Sequence, residues 1–235
     1  EFEFLKLGSG DMTYKKSIFE ICKLKKPFYI STGLAYESEI IDTINFIERN
    51  NPNNLEGILY CKSSYPTPNE YLNLNCINRL QKIFPKYNIG YSHHGIGHNQ
   101  LIVAFALGAR IMEVHFTKNV NDKSFRDNQL SFNHISLKRL YEDLFEIDKM
   151  LQVGNNSFLQ PTIAEEINGN RIEFRRSAYA AKDLEVGSEL KESDVIYLRP
   201  FIGICASRFQ EISSLRLKNN LKKGSPITWN DVELK

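Results

Sequence analysis

Tyr91-Ser92-His93-His94-Gly95 and Glu113-Val114-His115-Phe116-Thr117 are the two stretches on which the fold reading turns. Each ends a short β-prone run, residues 88–92 and 110–115, and an apolar helical run over 99–107 lies between them. Strand, helix, strand is the unit of a parallel sheet, and residues just past the carboxyl ends of neighbouring parallel strands sit side by side. His94 and His115 are therefore expected at one mouth, with Glu113 one pleat away from His115 and His93 turned to the opposite face. Two imidazoles converging from adjacent strands suit a metal ion; the plainer reading is a pair of hydrogen-bonded histidines at the rim of a core.

The same grammar extends upstream. Residues 4–7, 27–31 and 57–61 read as three more strands, with helices carrying Ile40, Ile41, Ile44 and Ile47, and then Leu72, Ile77, Leu80 and Phe84. Downstream, Leu137, Leu140, Leu144, Ile147 and Leu151 step three, four, three, four along a closing helix. Polar clusters follow the strands: Gly8-Ser9-Gly10-Asp11, Ser63-Ser64-Tyr65 before two prolines, and a long polar loop over 117–132 that carries Asp127. This is the pattern of an α/β fold, either a (β/α)8 barrel or an open parallel sheet. About five of a barrel's eight units are visible, so a barrel implies three more upstream of residue 1.

The tail has a different texture. After Gln152 comes the linker-like Gly154-Asn155-Asn156-Ser157. Leu184-Glu185-Val186-Gly187-Ser188-Glu189-Leu190 with Asp194-Val195 is then echoed by Leu221-Lys222-Lys223-Gly224-Ser225-Pro226-Ile227 with Asp231-Val232, each matched position 37 residues further on. Copies this short bury no core separately and are expected to share one small β-rich domain. The expected division is a barrel part over 1–152, a linker over 153–170 and the small domain over 171–235.

Composition excludes some functions. Charge is nearly balanced, 30 Lys+Arg against 28 Asp+Glu, which argues against a polyanion-binding surface. The cysteines Cys22, Cys61, Cys76 and Cys205 are dispersed, with no zinc spacing, and read as reduced thiols of a cytoplasmic protein. No run has the length of a membrane span, and Glu1-Phe2-Glu3-Phe4 is no signal peptide. No serine sits in a Gly-x-Ser-x-Gly elbow. Lys6, at a strand end, suits a phosphate or carboxylate, or is a solvated lysine. Ser63, Ser64 and Tyr65 offer hydroxyls to a polar substrate, or only turn chemistry. Asp127 suits a sugar hydroxyl or a proton transfer, or is a solvated carboxylate.

Taken in order, the stretches 6–11, 26–27 with 31–33, 61 with 63–68, 90–94, 106–110 and Glu113 with His115-Phe116-Thr117 resemble the sialic acid (N-acylneuraminate) synthase family. Arg175-Arg176-Ser177 and Leu198-Arg199-Pro200 follow in a tail that resembles the family's antifreeze-like (SAF) domain. The resemblance covers nearly the whole chain. It implies a TIM barrel that condenses phosphoenolpyruvate with an N-acylated amino sugar, releasing phosphate and making a nonulosonic acid. It implies that His94 and His115 bind Mn2+ or Mg2+ and that Lys6, Ser92, Ser63, Ser64 and Tyr65 hold phosphoenolpyruvate or the intermediate. Glu113 and Asp127 then serve the metal and sugar region, and Arg199 reaches the partner's barrel in a domain-swapped homodimer. The chain departs from the family at His93 (commonly Asp), Gly95 (Thr), Val114 (Lys) and Asn128 (His). Pseudaminic or legionaminic acid synthesis is the rival within enzymes, and an inactive truncated sugar-binding or scaffold protein is the rival outside them.

Overall fold

The computed structural model describes residues 2–51, 53–122, 124–151 and 159–234 and separates two compact units, 1–155 and 156–235. The linker-like stretch 154–157 lies outside the described residues.

In the first unit five strands, β1 (Leu5–Leu7), β2 (Phe28–Ser31), β3 (Leu55–Cys61), β4 (Asn88–Ser92) and β5 (Ile111–Glu113), pair in parallel and in sequence order. Helices α1 (Lys15–Lys23), α2 (Glu37–Asn50), α3 (Cys76–Ile83) and α4 (Asn99–Ala106) connect them, and α5 (His134–Leu151) follows β5. Sequential order decides between the two expected sheets. A doubly wound sheet reverses its order at a switch point, whereas right-handed crossovers that never reverse put every helix on one face. The unit is thus a curled arc of a (β/α)8 barrel.

Strand alternation sorts the side chains. Leu7, Phe28, Ile30, Ile58, Tyr60, Ile89 and Tyr91 turn toward the helices and join one core with Ile18, Ile40, Ile44, Ile47, Ile77, Leu80, Leu101 and Leu140. The other parity leaves Lys6, Ser31, Cys61, Ser92 and Glu113 on the concave face. At its lower end this face is closed by Ile111. A Cβ on Gly57 would lie 2.6 Å from Ile111 Cδ1, and one on Gly90 would lie 2.6 Å from the Ile111 carbonyl oxygen, so both strands need glycine to let β5 approach.

Two helices differ from the sequence reading. The run over 72–84 becomes a 3-10 turn (Asn69–Tyr71) followed by α3, because Asn73 takes a left-handed φ of 44° that an α-helix does not admit. In α5 only Leu140 of the expected stripe is fully buried; Leu144 packs partly on the core and Leu137 and Leu151 are exposed. Among the described residues no helix is long and apolar enough to cross a membrane.

The second unit begins with two single-turn-scale helices, α6 (Ile163–Ile167) and α7 (Asn170–Phe174). Its four strands form two antiparallel pairs, β6 (Ser177–Ala180) with β7 (Val195–Leu198) and β8 (Leu215–Leu217) with β9 (Val232–Leu234). The 37-residue repeat is here a two-fold exchange of hydrogen bonds. Leu184 and Leu221 bond each other's carbonyls at 2.8 and 2.9 Å, Ala180 N donates to Ser225 O as Leu217 N does to Ser188 O, and Ile227 N donates to Ala178 O as Leu190 N does to Leu215 O. Gly187 and Gly224 supply matching left-handed turns, φ 80° and 82°. The carboxylates of Asp194 and Asp231 accept from the backbone N–H of Lys191 and Thr228, three residues earlier in each copy. One core, with Leu184, Leu190, Leu215, Leu217, Ile227 and Val232, takes residues from both copies.

Candidate active site

The concave face gathers its polar groups at the carboxyl ends of the strands. Lys6 Nζ lies 3.2 Å from Glu113 Oε1 and donates to the Leu7 carbonyl at 2.9 Å. Ser31 Oγ donates to the other Glu113 oxygen at 3.4 Å. His94 packs its ring 5.3 Å from that of His115, and Tyr65 covers both, with centroids at 4.2 and 6.1 Å. Lys6, Tyr65, His94, Glu113 and His115 line a cavity of about 250 Å³ together with Gly8, Ser9, His93 and Val114. A roomier cleft of about 560 Å³ lies by Phe19, Lys23, Asn51 and Asn54, but none of the concave-face polar groups lines it.

Backbone bonds fix the two loops that complete the site. Thr67 N donates to the His94 carbonyl at 2.8 Å, which ties the loop after β3 to β4. Thr117 N donates to Phe132 O, and Phe132 N donates to His115 O at 2.8 Å, so the long loop returns beside His115. A 3-10 helix within it, Arg126–Leu130, sets Asp127 Oδ2 at 3.9 Å from His115 Nδ1. The Asp127 side chain is only 14% exposed and its Oδ1 has no hydrogen bond.

His94 Nδ1 lies 3.0 Å from the Lys62 carbonyl and 3.6 Å from Cys61 Sγ. A proton held on Nδ1 by that carbonyl leaves Nε2 with its lone pair, the usual way a backbone group orients a metal-binding imidazole. Burial disfavours the His94 imidazolium, but Cys61, the Lys62 carbonyl and Glu113 outweigh it and raise the pKa. For His115, burial and then the charge of His94 lower the pKa against Asp127 and Glu113, which keeps this ring neutral and able to ligate. Burial pushes the Cys61 thiol up, yet hydrogen bonds with His94, Ser9 and Ser92 hold it below the ordinary thiol value. Burial, with Cys61 and Asp127, raises Tyr65, so its hydroxyl stays protonated at neutral pH. Two imidazoles, His94 and His115, are the donors here that a divalent cation could take; among the described residues there is no group of three or more His, Cys, Asp or Glu that could hold a metal ion.

A hydroxyl cradle adjoins the histidines. Gly33 N donates to Ser9 Oγ at 3.0 Å, and Ser9 Oγ donates to Cys61 Sγ at 3.4 Å. A Cβ on Gly33 would sit 2.2 Å from Ser63 Oγ and 2.6 Å from Ser9 Oγ, so glycine is what lets the two hydroxyls converge. Ser92, 3% exposed, pairs in register with Cys61 on the same face.

The structure thus brings together Lys6, Ser63, Tyr65, Ser92, His94, Glu113, His115 and Asp127. Ser64 stands apart: it is exposed, its hydroxyl donates to the Pro66 carbonyl at 3.3 Å, and it lines a neighbouring groove of about 600 Å³. Arg199 belongs to the second unit, exposed at the end of β7, with its guanidinium 5.9 Å from the Phe174 ring. His93 takes the helix-side face as the pleat requires and packs on Tyr91 and Phe132. His98 has Nε2 3.5 Å from Asp143 on α5. Cys61, Ser9 and Gly33 have no shared motif in the sequence; their one sequence signal is the parity of β3, which puts Cys61 on the face of Ser92.

The NeuB family profile matches residues 1–156 and the SAF domain profile matches residues 175–233. A pseudaminic acid synthase of Campylobacter jejuni is 31% identical over 99% of this chain and 68% of its own length. An N,N'-diacetyllegionaminic acid synthase of the same species is 31% identical over 96% and 66%. The crystal structure of an N-acetylneuraminic acid (sialic acid) synthetase from Leptospira borgpetersenii in complex with citrate superposes with a TM-score of 0.63 at 27% identity, covering 72% of this chain and 56% of that one. The chain spans about two thirds of the length of the curated relatives it matches. It belongs to the NeuB family, with an arc of the synthase barrel followed by a SAF domain.

Proposed function

We propose that this chain is the larger part of a nonulosonic acid synthase, which joins phosphoenolpyruvate to an N-acylated amino sugar and releases phosphate. The observation that carries the reading is the His94–His115 pair beside Lys6 and the Ser9–Gly33–Ser63 cradle, in a family whose relatives are named for such synthases. In the reaction, C3 of phosphoenolpyruvate forms a bond to the sugar's aldehyde carbon, water adds at C2, and the C2–O bond to phosphate breaks. His94 and His115 would hold a divalent cation, Mn2+ or Mg2+, which when bound would supply Lewis-acid polarisation of the aldehyde.

The chain's own groups do the rest. Lys6 shares its ammonium between Glu113 and the incoming anion, and the hydroxyls of Ser9, Ser63 and Ser92 donate to phosphate or carboxylate oxygens. Asp127, its Oδ2 3.9 Å from His115 Nδ1 and its Oδ1 3.3 Å from Arg126 Nε, accepts from a sugar hydroxyl. Tyr65, kept protonated, offers a donor over the histidine pair. Glu113, paired with Lys6, is placed to take a proton near the reacting carbons. Arg199, exposed on the SAF domain, binds the acyl sugar in the barrel of a partner subunit in a domain-swapped homodimer, working in the cytoplasm.

The test is phosphate release by the protein as it is encoded, with Mn2+, phosphoenolpyruvate and N-acetylmannosamine or the N-acylated precursors of pseudaminic and legionaminic acids. One sugar should support turnover, and His115→Ala should lower it at least a hundredfold with unchanged circular dichroism. Turnover with none of these sugars overturns the reading, and full activity of His115→Ala removes the metal assignment.

A further inference from the structure

Besides Lys6, a second cation stands beside the mouth, against Tyr65, and also lines a neighbouring cavity of about 450 Å³ with Val120, Asn121, Phe125 and Gln129. Arg126 opens the 3-10 helix that places Asp127, and its guanidinium lies 5.5 Å from the centroid of the Tyr65 ring. Its acidic partner is Asp127: the Nε edge is 3.3 Å from Oδ1, and the side chain remains 75% exposed. Tyr65 in turn covers His94 and His115. The two cations differ in depth. Lys6 is 24% exposed and held by Glu113 and the Leu7 carbonyl, whereas Arg126 stands at the solvent edge of the same group of residues.

Stability does not account for this placement, because an ion pair this exposed contributes little to folding. Geometry suits a ligand better. One edge of the guanidinium lies against Asp127 and one face against Tyr65, which narrows its orientation, and its outer edge presents paired N–H donors. That fork matches two oxygens of a phosphate or carboxylate, which a lysine at the same place does not.

We propose that Arg126 binds substrate directly, taking a phosphate or carboxylate group of a ligand as it enters the mouth. Two sources have this chemistry: phosphoenolpyruvate itself, and a phosphate carried by the acceptor sugar. The identity of the ligand rests on the synthase reading above; the anion-binding role of Arg126 does not.

Arg126→Ala and Arg126→Lys are compared with the unaltered protein, thermal unfolding serving as the check on folding. Arg126→Ala should raise KM about tenfold for phosphoenolpyruvate, or for a phosphorylated N-acylmannosamine with no comparable change for the unphosphorylated sugar. In either case it should raise KM more than it lowers kcat, and Arg126→Lys should recover only part of the loss. The first pattern assigns the anion to phosphoenolpyruvate, the second to the acceptor. Unchanged KM for both anionic ligands, or a fall in kcat alone, overturns the proposal and leaves Arg126 as a support for Asp127 and Tyr65. If no sugar is turned over, calorimetric titration with phosphoenolpyruvate and with inorganic phosphate replaces kinetics. Weaker binding of either by Arg126→Ala then supports the role although the synthase reading has failed, and equal binding of both overturns it.

Discussion

Adjacent imidazoles at His93 and His94 do different work because a strand turns successive side chains to opposite faces. His94 faces the mouth with its Nδ1 held. His93 is 1% exposed between Tyr91 and Phe132, and its Nε2 has no hydrogen bond. Burial pushes its pKa down to about 4, so it is neutral in the folded protein. The unfolded chain, with an ordinary pKa near 6.5, binds this proton first. Stability from His93 is therefore complete above about pH 6.5 and is lost as pH falls toward 4, by about 3 kcal/mol at most. Urea midpoints at pH 7.5 and 4.5 should fall further apart in the unaltered protein than in His93→Phe; equal separations would show that this ring is not the group being titrated. At the residue scale, His94, His115, Glu113 and Lys6 were readable as a set, since strand parity and strand ends are properties of sequence. The cradle was not, because Ser9, Gly33, Cys61 and Ser63 come from three loops or strand ends whose convergence depends on the curl of the sheet.

At the scale of elements, the second unit behaves as one motif written twice. Leu190 and Ile227 occupy equivalent places 37 residues apart, are 1% and 0% exposed, and donate equivalent backbone bonds across the two-fold. Leu190→Ala and Ile227→Ala should each cost about 2–5 kcal/mol of stability, and the two losses should agree within about 1 kcal/mol. Denaturant unfolding of each variant measures this, and a clear asymmetry would mean that the copies carry the core unequally. The repeat was visible as text, but its meaning as an exchange of hydrogen bonds between the copies was not. In α3 and α5 the periodicity overstated what packing delivers: Asn73 delays the helix, and α5 buries one residue of its stripe. Apolar spacing says which residues can share a face, and only the neighbouring element decides how much of that face is covered.

For the whole molecule, each unit has a separate core, so the polypeptide from Leu159 to Lys235 should unfold cooperatively by itself; a broad, non-cooperative melt would refute its independence. Removing residues from 171 onward should weaken binding of the acceptor sugar more than that of phosphoenolpyruvate, measured as separate KM values in the protein as it is encoded. Equal losses would count against Arg199 as a sugar contact.

The sequence by itself determined the strand-helix period, the faces on which Lys6, Glu113, His94 and His115 stand, and the doubled tail, because these follow from local spacing. Its ordered motifs also pointed to the family that the profiles then showed. Residue spacing left a barrel arc and an open sheet both open; the family resemblance implied the barrel, and the strand order, a matter of which edges pair, shows it. Tertiary structure also decided that Asp127 comes to His115 and Arg126 to Tyr65, and that Ser64 stands apart. Loop residues far apart in the chain have no period to reveal them; their positions follow from the backbone bonds that close each loop, such as Phe132 N to the His115 carbonyl.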